Sequence, residues 1–269
     1  MTQRKVWAQE LQVQYDVSVV SSCHVVCISR TAYYYQPQLT DDNAIIDVLN
    51  KCADKHRRWG FPKCFKRIGK LGHSWNHKRV YRVYTALKLN LKRKTKRRLP
   101  TRHPEPLAVP NALGKSWSMD FMSDTWHNKV RFRTFNVIDD YTREVLGIDI
   151  GTSMPSLRVI GYLDQRVEWQ GYAEKIRVDN GSEFTSGVFT NWAKAHGIML
   201  DYIEPGCPYQ KAHVERFNRT YRNEVLDLYI FNNLNAVKQI TKQWIDIYNH
   251  ERPHDSLNDM TPVEYKNAA

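Results

Sequence analysis

Three carboxylates stand out by the residues around them. Asp179 closes a short apolar run, Ile176-Arg177-Val178, and is followed at once by the tight-turn pair Asn180-Gly181. A buried strand presents an acid in this way at its carboxyl edge, where α/β sheets usually keep their chemistry. Asp120 ends an earlier strand-like run, Trp117-Ser118-Met119-Asp120-Phe121. Glu215 lies in Ala212-His213-Val214-Glu215-Arg216-Phe217-Asn218-Arg219, with 35 residues between it and Asp179. Carboxylates are hard oxygen ligands suited to Mg²⁺ or Mn²⁺, which bind few protein groups and fill their remaining positions with water and substrate phosphate. Two such ions roughly 3.5–4 Å apart can activate an attacking oxygen and stabilise a leaving one across a single phosphodiester. The requirement is spatial: Asp120 and Asp179 on neighbouring strands, Glu215 reaching over from a helix. The plainer account of Glu215 is a surface pair with Arg219 at i, i+4, worth roughly 0.3 kcal/mol.

The elements that must position these acids follow from periodicity. Strands are predicted over 116–122, 130–138, 145–150, 175–178 and 198–203, with helices after Pro155 and over 187–196. Three antiparallel strands followed by α/β crossovers give a mixed sheet with helices on both faces. In the helix bearing Glu215, Val214, Phe217, Tyr221 and Val225 form one inward stripe. Glu215, Arg219 and Arg222 fall on its flank, with Lys211 one turn earlier. A lone carboxylate among cations suits both metal and phosphate.

Charge is concentrated upstream. Between Lys51 and Arg102 there are 19 Lys or Arg and one acid, Asp54, whereas the other 217 residues carry 21 basic and 27 acidic side chains. A block at +18 in a chain of net charge +12 points to a polyanion, since a solvated face normally mixes signs. Three short helices are predicted here: 41–57, 63–71, and one after a candidate cap at Ser74 with Val80, Tyr84, Leu87 and Leu91 as its stripe. They suit a helix-turn-helix whose last helix presents Lys78, Arg79 and Arg82 to DNA. Lys92, Arg93, Lys94, Lys96, Arg97 and Arg98 continue the basic surface into a Pro-rich stretch, read as an extended linker along phosphates. The organisation expected is a helical segment 1–40 (Val17, Val20, His24 and Val25 at helical spacing), a helix-turn-helix domain 41–99, a linker 100–112 and a catalytic domain 113–269 with a helical tail. Cys52, Cys64, His73 and His77 are spaced too widely for a zinc finger knuckle and read better as core cysteines with surface histidines. No uncharged apolar run approaches the ~20 residues of a bilayer span, and the N-terminus lacks a signal-peptide block, so no membrane partner and a cytoplasmic location are expected.

At these residues the chain resembles the DDE transposases of the retroviral-integrase superfamily, and more narrowly the OrfB products of the third insertion-sequence family of bacteria. The matching text is Trp117-Ser118-Met119-Asp120, Val137-Ile138-Asp139-Asp140-Tyr141-Thr142-Arg143, Asp179-Asn180-Gly181-Ser182-Glu183-Phe184, Pro208 to Thr220, and Tyr248-Asn249-His250-Glu251-Arg252-Pro253-His254, closing with Thr261-Pro262-Val263-Glu264-Tyr265. The resemblance covers about residues 41–266, and the 35-residue interval is the hallmark of the group. It implies an α/β, RNase H-like mixed-sheet catalytic core preceded by an all-α helix-turn-helix region. It implies Asp120, Asp179 and Glu215 as catalytic ligands of two Mg²⁺ (or Mn²⁺) ions, and phosphoryl transfer at element ends without a covalent protein intermediate. Double-stranded DNA, as element ends and target, is the implied partner, contacted also by Lys211, Arg219 and Arg222. A homo-oligomer on nucleoid DNA and fusion to an upstream-frame OrfA product are further expectations. Lys211 departs from the group, which commonly carries asparagine or glycine there, so a longer cation is expected to touch DNA or alter activity. The alternatives are a catalytically inactive DNA-binding regulator and a structure-selective nuclease of the same fold.

Overall fold

The computed structural model describes residues 2–36, 41–92, 110–204 and 208–269. The chain divides into two compact units, residues 1–45 and 46–269. The first holds α1 (Thr2–Tyr15), α2 (Val19–Val25) and α3 (Arg30–Tyr34). Ser18 and Ser29 cap the last two by accepting the Ser21 and Ala32 amides. The valines at helical spacing do not make the buried face: Val20 and Val25 are exposed, and Ala8, Ser22 and Cys23 are buried instead. Gln12 supplies the reason, because its amide donates to Ser22 and to Tyr33 and so turns that side of α2 inward.

α4 (Asn43–Lys55) carries the chain into the second unit, followed by α5 (Phe61–Lys70) and α6 (His77–Ala86). The Phe61 ring meets Tyr81 and Tyr84 edge-on, which packs α5 against α6. The cap of α6 is Asn76 rather than Ser74, since its side chain accepts the Lys78 amide. Lys88 takes a left-handed φ of 57° just beyond the helix, so Leu91 leaves the stripe and is exposed. Five strands follow: β1 (Ser116–Thr125), β2 (Arg131–Asp139), β3 (Val145–Gly151), β4 (Lys175–Val178) and β5 (Met199–Tyr202), in the spatial order β3-β2-β1-β4-β5. The first three pair antiparallel, and β4 and β5 join in parallel. This is the mixed sheet of an RNase H-like core.

The sheet is buried on both faces, as parallel crossovers require. One face packs Met119, Phe135, Val137, Ile176 and Val178 against α7 (Ser156–Gln170), a short α8 (Ser182–Thr185) and α9 (Gly187–Ala195). The other packs Phe132, Ile138, Val145 and Ile150 against α10 (Ala212–Tyr221) and α11 (Leu234–His250). Val214, Phe217, Tyr221 and Val225 are all at most 2% exposed, so the inward stripe read from periodicity is the buried one. A π-helical turn, 222–226, extends α10. The C-terminal α12 (Pro262–Ala268) starts at a capping box formed by Thr261 and Glu264.

The basic helices are anchored by this C-terminal region. Lys55 and Arg67 meet Glu251 at 2.7 and 3.3 Å, Lys66 meets Asp255 at 2.8 Å and also Asp259, and Lys70 meets Glu264. Part of the positive block is therefore taken up by internal pairing, and helices 46–92 share one compact unit with the sheet. Of the expected linker, only residues 110–112 are described.

Candidate active site

Asp120 and Asp179 are placed by strand register. β1 and β4 run parallel with Ser116 opposite Lys175 and Ser118 opposite Arg177, an offset of 59. The same offset sets Asp179, one residue beyond β4, level with Asp120, so the two side chains leave the same face of adjacent strands. The turn after β4 fixes Asp179 further. Its Oδ1 accepts the Gly181 amide at 2.9 Å, and the Asn180 side chain donates to the Ile203 carbonyl at 3.0 Å. A Cβ on Gly181 would lie 2.8 Å from Asp179 Oδ1, so the acid's position depends on glycine there.

Both carboxylates converge on one cation. Lys211 Nζ donates to Asp120 Oδ1 at 2.8 Å and to Asp179 Oδ2 at 3.0 Å, and its side chain is 6% exposed. Lys211 ends a 3₁₀ turn (Pro208–Lys211) and is the N-cap of α10. Asp120 Oδ2 accepts the Asn218 side-chain amide at 2.7 Å, and Asn218 Oδ1 accepts from Asn136 of β2 at 2.7 Å. Asn136 stands directly across the ladder from Asp120. The chain Asn136–Asn218–Asp120 thus ties the helix to the strand carrying the acid. Nothing in the spacing of Asn136 or Asn218 marked them, because an asparagine matters here only through its partners.

Glu215 does not join the pair. It shares a helical stripe with Lys211, Asn218 and Arg222, but among the described residues no three His, Cys, Asp or Glu side chains gather as a metal group. Glu215 is exposed and lines a neighbouring cleft of about 740 Å³. That cleft carries Lys63, Arg143, Arg216, Arg219 and Arg252 against the acids Glu215 and Asp255. Its charge surplus is felt by buried and half-buried neighbours. Burial, then nearby arginines, pull His213 down to about 3, and burial with Arg252, Lys63 and Arg216 pulls His254 down to about 2. Burial and Arg252 also lower Lys63 to about 8. Spacing did not mark Lys63, Arg143, Arg252 and Asp255 as partners of Glu215 and Arg219, because they come from separate stretches of chain.

The remaining expected contacts divide. Lys78, Arg82 and Lys92 are exposed and Arg79 is half-buried on or just after α6. Arg222 donates to Asp124 at 3.1 Å and to the Ser123 carbonyl at 2.9 Å, which ties it to β1. Arg93, Lys94, Lys96, Arg97 and Arg98 lie outside the described residues. Two further acids of the motif text are structural. Asp140 is fully buried and accepts Ser116 and Ser118 hydroxyls at 2.8 and 2.6 Å, and burial raises its pKa despite them. Asp139 accepts the Tyr141 and Thr142 amides and so closes the β2–β3 turn. Cys52 and Cys64 pack with Trp59 in a small apolar cluster.

The chain is similar to several known proteins. Two family models, each described as "Integrase core domain", match over residues 110–208 and 196–262. The insertion element IS407 uncharacterized 31.7 kDa protein of Burkholderia multivorans is 33% identical over 93% of this chain and 91% of its own length. The putative transposase InsK for insertion sequence element IS150 of Escherichia coli is 26% identical over 88% of this chain and 89% of its own. The HTLV-2 integrase catalytic core domain, in a structure described as a complex with magnesium, aligns over 57% of this chain and 96% of that one with 17% identity and a TM-score of 0.46.

Proposed function

We propose, for a chain that belongs to the insertion-sequence transposases of the integrase superfamily, that Asp120 and Asp179 form the catalytic centre together with Glu215, and that the reaction is metal-dependent DNA strand cleavage followed by strand transfer. The observation that carries this reading is the in-register pair Asp120 and Asp179 sharing a single cation. Two oxygens from different strands already converge on one positive centre, and hard carboxylate donors of this kind suit Mg²⁺ or Mn²⁺. When bound, a pair of such ions would activate an attacking oxygen and stabilise the departing 3′-oxygen of a phosphodiester.

The chain's own part is positioning. Asn218 holds one Asp120 oxygen, and Gly181 holds one Asp179 oxygen. Glu215, on the exposed flank of α10, would complete the ligand set by a side-chain rearrangement toward the pair. The cation-lined cleft and the exposed face of α6 would bind DNA phosphates, the second serving element ends as the recognition helix of a helix-turn-helix. Pairing two ends calls for a homo-oligomer, and an OrfA fusion would add a further DNA-binding region. A nucleoid-associated, cytoplasmic setting follows from that substrate. Among the described residues no helix is long and apolar enough to cross a membrane.

The test is cleavage of element-end DNA by the Asp179→Asn and Asp120→Asn variants. Each should retain DNA binding and fall to below about one hundredth of wild-type Mg²⁺-dependent cleavage, the scale expected when a group stabilising transition-state charge is removed. Undiminished cleavage by Asp179→Asn would falsify the assignment.

A further inference from the structure

We infer that Lys211 is a built-in competitor for the divalent ion: its ammonium takes the shared position between Asp120 and Asp179, so this chain binds Mg²⁺ or Mn²⁺ only by displacing its own side chain. The inference rests on the assignment of those two acids as metal ligands. All four carboxylate oxygens have a donor. Asp120 gives Oδ1 to Lys211 and Oδ2 to Asn218, and Asp179 gives Oδ2 to Lys211 and Oδ1 to the Gly181 amide. Asn218 and the Gly181 amide are neutral donors that a ligating carboxylate can keep. The two oxygens aimed into the gap are the two that Lys211 holds.

An Mg²⁺ ion draws its oxygens to about 2.0–2.1 Å, so it cannot share both with an ammonium seated 2.8 and 3.0 Å from them. The exchange is therefore either-or. Burial strengthens the incumbent's hold on Asp120, because the two side chains are 6% and 18% exposed, whereas Asp179, at 37%, is partly screened by water. The incumbent is also incomplete: one ammonium faces two carboxylates, which leaves a charge that a divalent ion removes. Its route out is short. Lys211 stands at the N-cap with non-helical backbone (φ −103°, ψ 13°), so rotation of its four-carbon stem frees the acids without unwinding α10. The residue type at this position thus sets the metal concentration at which the site fills.

Mn²⁺ binding to the full-length chain measures this directly, by paramagnetic resonance of free Mn²⁺ and by thermal melting over the same titration. Lys211→Asn and Lys211→Met should each bind Mn²⁺ at least about tenfold more tightly than wild type, equivalent to about 1.4 kcal/mol. At saturating metal their melting temperatures should rise about 2–4 °C further than that of wild type. Without metal they should melt below wild type, because the two acids then repel. Adding Asp179→Asn to Lys211→Met should abolish the gain. Equal Mn²⁺ affinity in wild type and in either folded variant overturns the inference. That result leaves the transposition reading standing as long as Asp179→Asn still abolishes cleavage, whereas cleavage by Asp179→Asn removes the reading whatever the titration gives.

Discussion

Single side chains at this site act through what they hold in place. Asn218 bridges the buried Asn136 and the carboxylate of Asp120, so its removal strands the Asn136 amide, whose residue is fully buried. Asn218→Ala should cost about 1–3 kcal/mol in chemical denaturation, the range for a buried donor left without its acceptor. It should also lower cleavage more than DNA binding, because Asp120 loses an orienting bond. Gly181 makes a comparable point from the backbone. Gly181→Ala forces a Cβ to within 2.8 Å of Asp179 Oδ1, and the acid must move to admit it. A drop in cleavage of about tenfold or more, with unchanged melting temperature, is the expected result. Wild-type cleavage by this variant would mean that the position of Asp179 is not set by the turn.

At the level of elements, α10 does two jobs with two faces. One face is apolar and seals the sheet through Val214, Phe217 and Tyr221. The polar flank sets Lys211, Asn218 and Arg222 along β1, while Glu215, Arg216 and Arg219 open onto the cationic cleft. If that cleft carries DNA backbone, the double variant Arg216→Ala/Arg219→Ala should weaken binding evenly across sequences. It should also flatten the plot of log affinity against log salt by roughly 0.9 for each phosphate that is no longer neutralised. An unchanged slope would take these arginines out of the DNA path. The basic helices α4 and α5 are held by ion pairs. Lys55, Lys66, Arg67 and Lys70 are matched to acids of the C-terminal region, so their removal should lower stability before it lowers DNA affinity. Each such partly exposed pair contributes no more than about 1 kcal/mol.

For the whole molecule, buried and half-buried histidines make acid the vulnerable side. Burial lowers His56 to about 4, His213 to about 3 and His254 to about 2, against an ordinary value of 6.5. A group whose folded pKa is depressed binds its proton first in the unfolded chain, so stability rises with pH in that window and falls as pH drops below 6.5. Each histidine contributes a slope of up to about 1.4 kcal/mol per pH unit below that point. A second decline should begin as pH falls through the usual carboxylate range, where Glu251, Asp255 and Glu264 give up their lysine partners. Melting temperature measured from pH 8 to pH 4 should therefore fall from about pH 6.5 downward. A flat profile between pH 7 and pH 5 would contradict the burial of these rings.

Amino-acid order alone determined the sheet, its crossovers and the apolar stripe of α10, because side-chain periodicity is a local property that a strand or helix imposes on its own residues. It also marked Asp179 at a strand end and Glu215 on a helix flank, and it marked Asp120 too, although β1 does not end there but runs on to Thr125. Tertiary structure alone decided that Lys211 rather than Glu215 closes on the two aspartates, that α4 and α5 dock on Glu251, Asp255 and Glu264, and that five cations from distant segments line one cleft. Charge has reach but no periodicity, so a lysine in a sequence carries no record of which carboxylate it will find until the fold brings them within a few ångströms.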